Sequence, residues 1–90
     1  MTKEDGKKRI EQLKKDIENI KKQAEGSIKS KMNTIESAKK TLASASPSSK
    51  VSAKSNLESR KKDLILHKEN ISKQIDSKKN ETEKVKSSMK

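Results

Sequence analysis

The amino-acid sequence predicts an all-α fold, an antiparallel two-helix hairpin of the coiled-coil kind. In the first half, apolar residues recur at steps of three and four, the spacing of one helix face. The only proline, Pro47, stands near the middle of the chain within the serine-rich stretch "ASASPSSKVS". When the chain is folded back there, the apolar patterns of the two halves match. We therefore expect one domain over 1–90, with helix 1 over 2–45, a turn over 46–49 and helix 2 over 50–89.

Composition by itself favours disorder, because the net charge is +11, hydrophobic residues make up 26% and there is no aromatic residue. The charge pattern of the first half favours a helix instead. Glutamates at positions 4, 11, 18 and 25 each stand four residues before a lysine, at 8, 15, 22 and 29. Glutamate before lysine at this spacing stabilises a helix by ~0.2–0.5 kcal/mol per pair. Because these pairs keep step with the apolar repeat, we expect helix 1 to form.

We call the line of residues on one helix that packs against the other helix its seam. The expected seam of helix 1 is Ile10, Leu13, Ile17, Ile20, Ala24, Ile28, Met32, Ile35, Ala38 and Leu42. Between Ile17 and Ile35 its mean spacing equals the 3.6 residues per turn of an unperturbed helix, which predicts a locally relaxed supercoil. Gly26 lies in this segment and weakens the helix by ~1 kcal/mol relative to alanine.

The midpoint has the residues of a helix start. Ser46 suits the N-cap and Pro47 suits the first helical position, while proline disfavours helical geometry at the residue before it. A flexible linker or a phosphorylated serine is the alternative interpretation. We prefer a short turn between helices.

The seam of helix 2 is less regular. Leu57, Leu64, Ile71 and Val85 share one seven-residue lattice, with Lys78 in the gap. One companion lattice holds Ile75, Thr82 and Met89, and the other holds Lys54, Lys61 and Lys68. Lysine stems can line a seam while their ammonium groups reach water.

The two seams match if residue i faces residue 94 minus i. This register puts Ile10 opposite Val85, Ile20 opposite Ile75, Ala24 opposite Ile71, Ile28 opposite Ile65 or Leu66, and Leu42 opposite Val51. Within the stretch "DLILHKEN" we expect Leu64 and Ile65 to share the seam. Leu66 is either covered by helix 1 or exposed as an anchor for a partner.

The sequence lacks the residues that metal binding, catalysis and membrane insertion require. There is no cysteine, and His67 has no second histidine with which to bind a metal. A two-helix hairpin encloses no catalytic pocket, so we expect no enzyme, no catalytic residue and no cofactor. The longest run of large aliphatic residues is three, which predicts no membrane insertion. We expect a cytoplasmic protein, with export alongside a partner as the alternative.

Helix-mediated association is the function that this pattern favours. A lone hairpin buries little area, and such units gain stability in a larger helical bundle with a second copy or a helical partner. The candidate partner-binding residues are Ile17, Ile20, Ile28, Leu64, Ile65, Leu66, Ile71 and Ile75.

The alternative function is phosphate-driven nucleic-acid binding, suggested by the net charge of +11. It ranks second because the basic residues are divided evenly, twelve in each half, and interleaved with acids. Only two of them are arginine, and no aromatic side chain is present for base stacking.

The layout resembles the small helical-hairpin proteins of type VII secretion, which include WxG-type hairpins and the small partners of LXG toxins. The resemblance covers the whole chain: about ninety residues, two near-equal helices and a break at the midpoint. The turn "SASPSS" has no Trp-x-Gly, and "ETEKVKSSMK" has no Tyr-x-x-x-Asp/Glu signal, so no site residue carries over. The resemblance implies an adaptor or targeting role along the helical stalk of a larger secreted protein.

Overall fold

The computed structural model describes residues 1–89 of the 90-residue chain. It contains two α-helices, α1 over Lys3–Ser44 and α2 over Pro47–Ser88. They pack against each other as an antiparallel hairpin, so the predicted all-α fold is confirmed. The chain forms two compact units. Unit 1 contains Met1–Ala24 and the chain from Asn70 onward, and unit 2 contains Glu25–Glu69.

The first turn of α1 is capped by its own side chains. Thr2 Oγ1 accepts a hydrogen bond from the Asp5 N–H at 3.1 Å, and the Thr2 carbonyl accepts one from the Gly6 N–H at 3.0 Å. Glu4 and Asp5 lie in this turn, where the helix dipole favours negative charge. Thr2 is therefore the N-cap, and α1 begins at Lys3.

The turn is shorter than the predicted 46–49, since only Ala45 and Ser46 lie between the helices. The Ser46 carbonyl accepts hydrogen bonds from the N–H groups of Ser49 and Lys50 at 2.9 and 3.0 Å, as an N-cap carbonyl does. Pro47 follows as the first helical residue, where its fixed φ fits and its missing N–H is not needed. Helix α2 therefore begins three residues before the expected position 50.

In unit 1 the core follows the predicted seams. Leu13 is the only residue of the described chain whose side chain is fully buried, and Ala24 and Val85 are 8% and 7% exposed. The remaining predicted seam residues of this unit are half-buried: Ile10, Ile17, Ile20, Ile71, Ile75, Thr82 and Met89. Gly6 is buried as well, and a Cβ at this position would overlap Met89. The predicted spacing of both helices is therefore confirmed in unit 1.

In unit 2 a small cluster forms the core. Ile35, Ala38 and Leu57 are 6–8% exposed, and Leu42 and Leu64 pack against them. The seam of α1 departs here from the prediction. Met32 was predicted to lie in the seam, but its side chain is 52% exposed, so that prediction was wrong. The preceding residue, Lys31, is half-buried instead.

The seam of α2 also departs from the prediction in unit 2. Ile65 is 56% exposed and Val51 is 78% exposed, so neither contributes to the core as expected. The lysines at 54, 61 and 68, which were expected to line the seam, are exposed. The residues that precede two of them, Ala53 and His67, are half-buried instead. The predicted lysine lattice was therefore wrong by one residue. From Leu64, a step of three reaches His67 and keeps the seam spacing, whereas Ile65 is turned by about 100°.

Candidate helix-binding surface

Each unit contains one ion pair between a lysine and an aspartate on opposite helices. In unit 1 Lys78 Nζ lies 3.5 Å from Asp16 Oδ2. In unit 2 Lys31 Nζ lies 2.5 Å from Asp63 Oδ2. The residue numbers of each pair add up to 94, which confirms the predicted register in both units. Lys78 fills the gap in the apolar lattice of α2, and Asp16 is the partner that makes this position acceptable.

Both aspartates are held in their charged form. A hydrogen bond donated by Gln12 Nε2 at 3.0 Å, followed by the charge of Lys78, lowers the pKa of Asp16. The hydrogen bond and charge of Lys31 lower the pKa of Asp63 below its ordinary value. Both carboxylates are therefore ionised throughout the neutral range.

The predicted glutamate–lysine pairs along α1 do not form contacts. Among residues 1–89, none of the pairs beginning at positions 4, 11, 18 and 25 closes to ion-pair distance. The contacts made instead include Arg9 to Glu81 at 2.6 Å, across the helices of unit 1. Exposed pairs on one helix gain little in water, because holding two long side chains together costs conformational entropy.

The two helices of unit 2 leave two flanks with different chemistry. One flank has a polar cleft lined by Lys31, Thr34, Arg60 and Asp63. The other has a cleft of about 280 Å³ lined by three apolar residues, Met32, Ile35 and Leu64, together with Asn33, Glu36 and Lys39. The exposed methionine thus borders a groove whose floor is part of the core.

Ile65 belongs to the second flank. In α2, Asp63 precedes Leu64 and Ile65 follows it, and successive residues of a helix are turned by about 100°. Asp63 and Ile65 therefore point to opposite sides of Leu64. Because Asp63 lines the polar cleft, Ile65 faces the side of Met32. We call Met32, Ile35, Leu64 and Ile65 the apolar flank.

Leu66 is not covered by the first helix, which answers the question that the sequence left open. Its side chain is 58% exposed, and it is turned by another 100° or so from Ile65, away from the apolar flank. Ile28, the residue expected to cover it, is half-buried. Leu66 is therefore an isolated exposed leucine, which is ordinary on a protein surface.

The other candidate partner-binding residues are divided between the units. Ile17, Ile20, Ile71 and Ile75 are half-buried in unit 1, as part of its seam. In unit 2, Ile28 and Leu64 are half-buried, and only Ile65 and Leu66 are exposed. The sequence-based set omitted Met32. The predicted register could have identified Met32 as exposed. In that register Asp63 is opposite Lys31, so Lys31 faces α2 and the next residue, Met32, points outward.

His67 is half-buried at a seam position of α2. Its Nε2 is shielded from solvent without a hydrogen-bond partner in the described part of the chain. Across residues 1–89, no group of three or more His, Cys, Asp or Glu side chains is placed to hold a metal ion.

In the described chain, neither helix has a segment long and apolar enough to cross a membrane. Comparison with protein-family models, with curated proteins and with solved structures gave no match. The chain thus has the layout of an antiparallel two-helix hairpin, and no family is identified for it.

Proposed function

We propose that this protein is a non-enzymatic helical interaction module that binds a helical partner or a second copy of itself. The observation that supports it most is the pair of exposed apolar residues on one flank of unit 2, Met32 at 52% and Ile65 at 56%. Met32 lines a groove floored by Ile35 and Leu64, and Ile65 points to the same side of Leu64. Apolar side chains gathered beside a groove between helices are typical of a site for a further helix.

The amount of buried surface supports the same proposal. The chain exposes 6948 Å², whereas a folded monomer of 10.1 kDa exposes roughly 5,300 Å². Among the residues described, six hydrophobic residues are buried, and only Leu13 has a fully buried side chain. A core this thin gains stability when a partner covers more of it.

A finer version of the proposal is that the partner is secreted. It draws on the hairpin layout, which resembles the small helical partners of type VII secretion. In this version the protein is an adaptor or targeting partner that lies along the helical stalk of a larger exported protein.

Site-specific photo-crosslinking tests the proposal in cells that produce the protein naturally. A photoreactive residue is placed at Ile65, and, as a control, at Val51, which is 78% exposed and outside the apolar flank. We expect a discrete crosslinked species from position 65 and none from position 51. Light scattering of the purified chain then shows whether the species is a homodimer. An isolated monomer with no crosslink at position 65 would contradict the proposal.

Nucleic-acid binding is the second candidate function, for which the net charge of +11 is the motive. The exposed lysines at 8, 15, 22 and 29 of α1 alternate with exposed glutamates at 4, 11, 18 and 25, so α1 offers no purely basic face. Titration of duplex DNA and RNA from low to physiological salt tests this function. Binding by phosphate contacts weakens steeply with salt. If neither duplex binds at low salt, this candidate is removed.

A further inference from the structure

We propose that the apolar flank of unit 2 binds an acidic amphipathic helix of another protein. This inference rests on the proposed function and specifies the partner. The apolar flank defines where the partner helix lies, and the charges around the flank define its chemistry.

The flank has the form of a site for a helix. Its floor, Ile35 and Leu64, belongs to the core of unit 2, while Met32 and Ile65 rise beside it as exposed apolar side chains. Met32 lines the cleft of about 280 Å³ above this floor. Ile65 points to the same side of Leu64, at the edge of the cleft, because it is turned by about 100° from Leu64 and away from Asp63. An amphipathic helix that lies in such a groove inserts anchors at i, i+3 or i+4, and i+7.

The surface of α2 around Ile65 is basic. Residues three and four positions away are neighbours on a helix surface. For Ile65 these neighbours are Lys61, Lys62, Lys68 and Glu69, all of them exposed. Within residues 1–89 the three lysines make no ion pair. The apolar anchor is therefore bordered by three cations that are free to bind an acidic partner.

The surface of α1 around Met32 adds further positive charge beside the groove. Its charged neighbours at three and four positions are Lys29 and Glu36, both exposed. Glu36 already pairs with Lys39 at 3.5 Å, which offsets its negative charge. Lys29 makes no such pair in the described chain. Both sides of the groove thus carry uncompensated positive charge.

This charge distribution selects among the possible occupants. A second copy of the chain would bring another +11 and place the same lysines against each other, which electrostatic complementarity disfavours. A phosphate backbone would pair with the lysines but would leave Met32 and Ile65 uncovered. A helix with glutamates beside its apolar stripe satisfies both features.

A display library provides the test. Its members are 28-residue helices with Leu, Ile, Val or Met on the apolar stripe and with Glu, Gln or Lys randomised at the flanking positions. The library is selected against the full chain and against two variants that keep the net charge, Ile65→Ser and Leu66→Ser. These two residues are adjacent and similarly exposed, at 56% and 58%, so they form a matched pair. Circular dichroism verifies that both variants are folded.

We expect glutamate to be enriched at the flanking positions with the wild-type chain and with Leu66→Ser, and the enrichment to disappear with Ile65→Ser. An enriched peptide should bind Ile65→Ser at least ~10-fold more weakly than wild type, as expected for a central anchor. Met32→Ser should weaken the same peptide, and moderate salt should weaken it through slower association.

Other outcomes overturn the inference in different ways. If flanking Lys or Gln is selected as often as Glu, the acidic partner is wrong, although helix binding stands. If glutamate enrichment persists with Ile65→Ser, net charge rather than the apolar flank selects the peptides. If light scattering shows a wild-type homodimer that Ile65→Ser dissociates, the occupant is a second copy and the proposed function survives. If no peptide binds and the chain is monomeric, both proposals fail.

Discussion

Lys31 and Asp63 pair across the two helices of unit 2, with Nζ and Oδ2 2.5 Å apart. Lys31 occupies a seam position, which an apolar residue would normally fill, and its ammonium group reaches the edge of the seam to meet the carboxylate. A slip of one heptad would place Lys31 opposite Asn56 or Asn70 instead. Polar residues in a seam can specify register in this way, because each wrong register leaves a charge without its partner.

Exchanging the two charges tests this role. Lys31→Asp alone or Asp63→Lys alone places like charges opposite each other, so each should lower the melting temperature. The double variant restores an ion pair with reversed polarity and should melt above both single variants. Thermal denaturation followed by circular dichroism at low salt measures the effect. A double variant no more stable than the single ones would show that the pair does not couple the helices.

Acid should destabilise the fold partly through Asp16 and Asp63. The pKa of each is lowered from the ordinary 3.8, so each contributes stability that is present above pH 3.8 and lost as the pH falls through the lowered value. We expect the melting temperature to fall as the pH drops below about 4 and through the lowered pKa values of the two aspartates. The double variant Asp16→Asn, Asp63→Asn should be less stable at pH 6 and show a shallower fall. An unchanged slope would exclude these two groups as the cause.

The two glycines should respond differently to alanine. Gly26 lies inside α1 with nothing within 4 Å of an added Cβ, so Gly26→Ala should stabilise the fold by about 0.5–1 kcal/mol through reduced backbone entropy. At Gly6 the added Cβ would displace the Met89 side chain, which offsets that gain. Urea denaturation of both variants measures the difference. Equal stabilisation at the two positions would mean that the packing of Met89 against Gly6 contributes nothing.

Leucines at positions 13 and 66 should differ sharply in their contribution to stability. Leu13 is fully buried, and Leu13→Ala should cost about 2–5 kcal/mol, a large part of the stability of a domain this small. Leu66 is 58% exposed, and Leu66→Ala should change stability by less than about 0.5 kcal/mol. Chemical denaturation checks both. A large cost at position 66 would show that Leu66 is covered in solution.

His67→Leu should stabilise the fold. The shielded Nε2 of His67 has no hydrogen-bond partner among the described residues, and a buried polar atom left in this state costs about 1–3 kcal/mol. Leucine suits a seam position and removes the cost, so we expect a gain of about 1 kcal/mol. Lys68→Leu, at the exposed neighbouring position, serves as the control and should change stability little. A loss of stability with His67→Leu would indicate that Nε2 is satisfied in solution.

The sequence by itself determined the helices, the break at Pro47 and the register. The three-and-four spacing required helices, proline required a break, and the best match of the two apolar patterns fixed the sum of 94 that both aspartate–lysine pairs show. In unit 1 it also identified the seam, because strong aliphatic residues occupy nearly every seam position there.

Only the tertiary structure decided which of two neighbouring residues faces the core in unit 2. Lys31 and Met32 both fit a helical repeat, and hydrophobicity favoured Met32 for the seam of α1, while both Leu64 and Ile65 were expected in the seam of α2. The residues across the seam decided otherwise, since Asp63 holds Lys31 inward and thereby turns Met32 out. The apolar flank exists for this reason. A helix of 3.6 residues per turn cannot bury two adjacent side chains equally, and the opposite helix determines which one remains exposed.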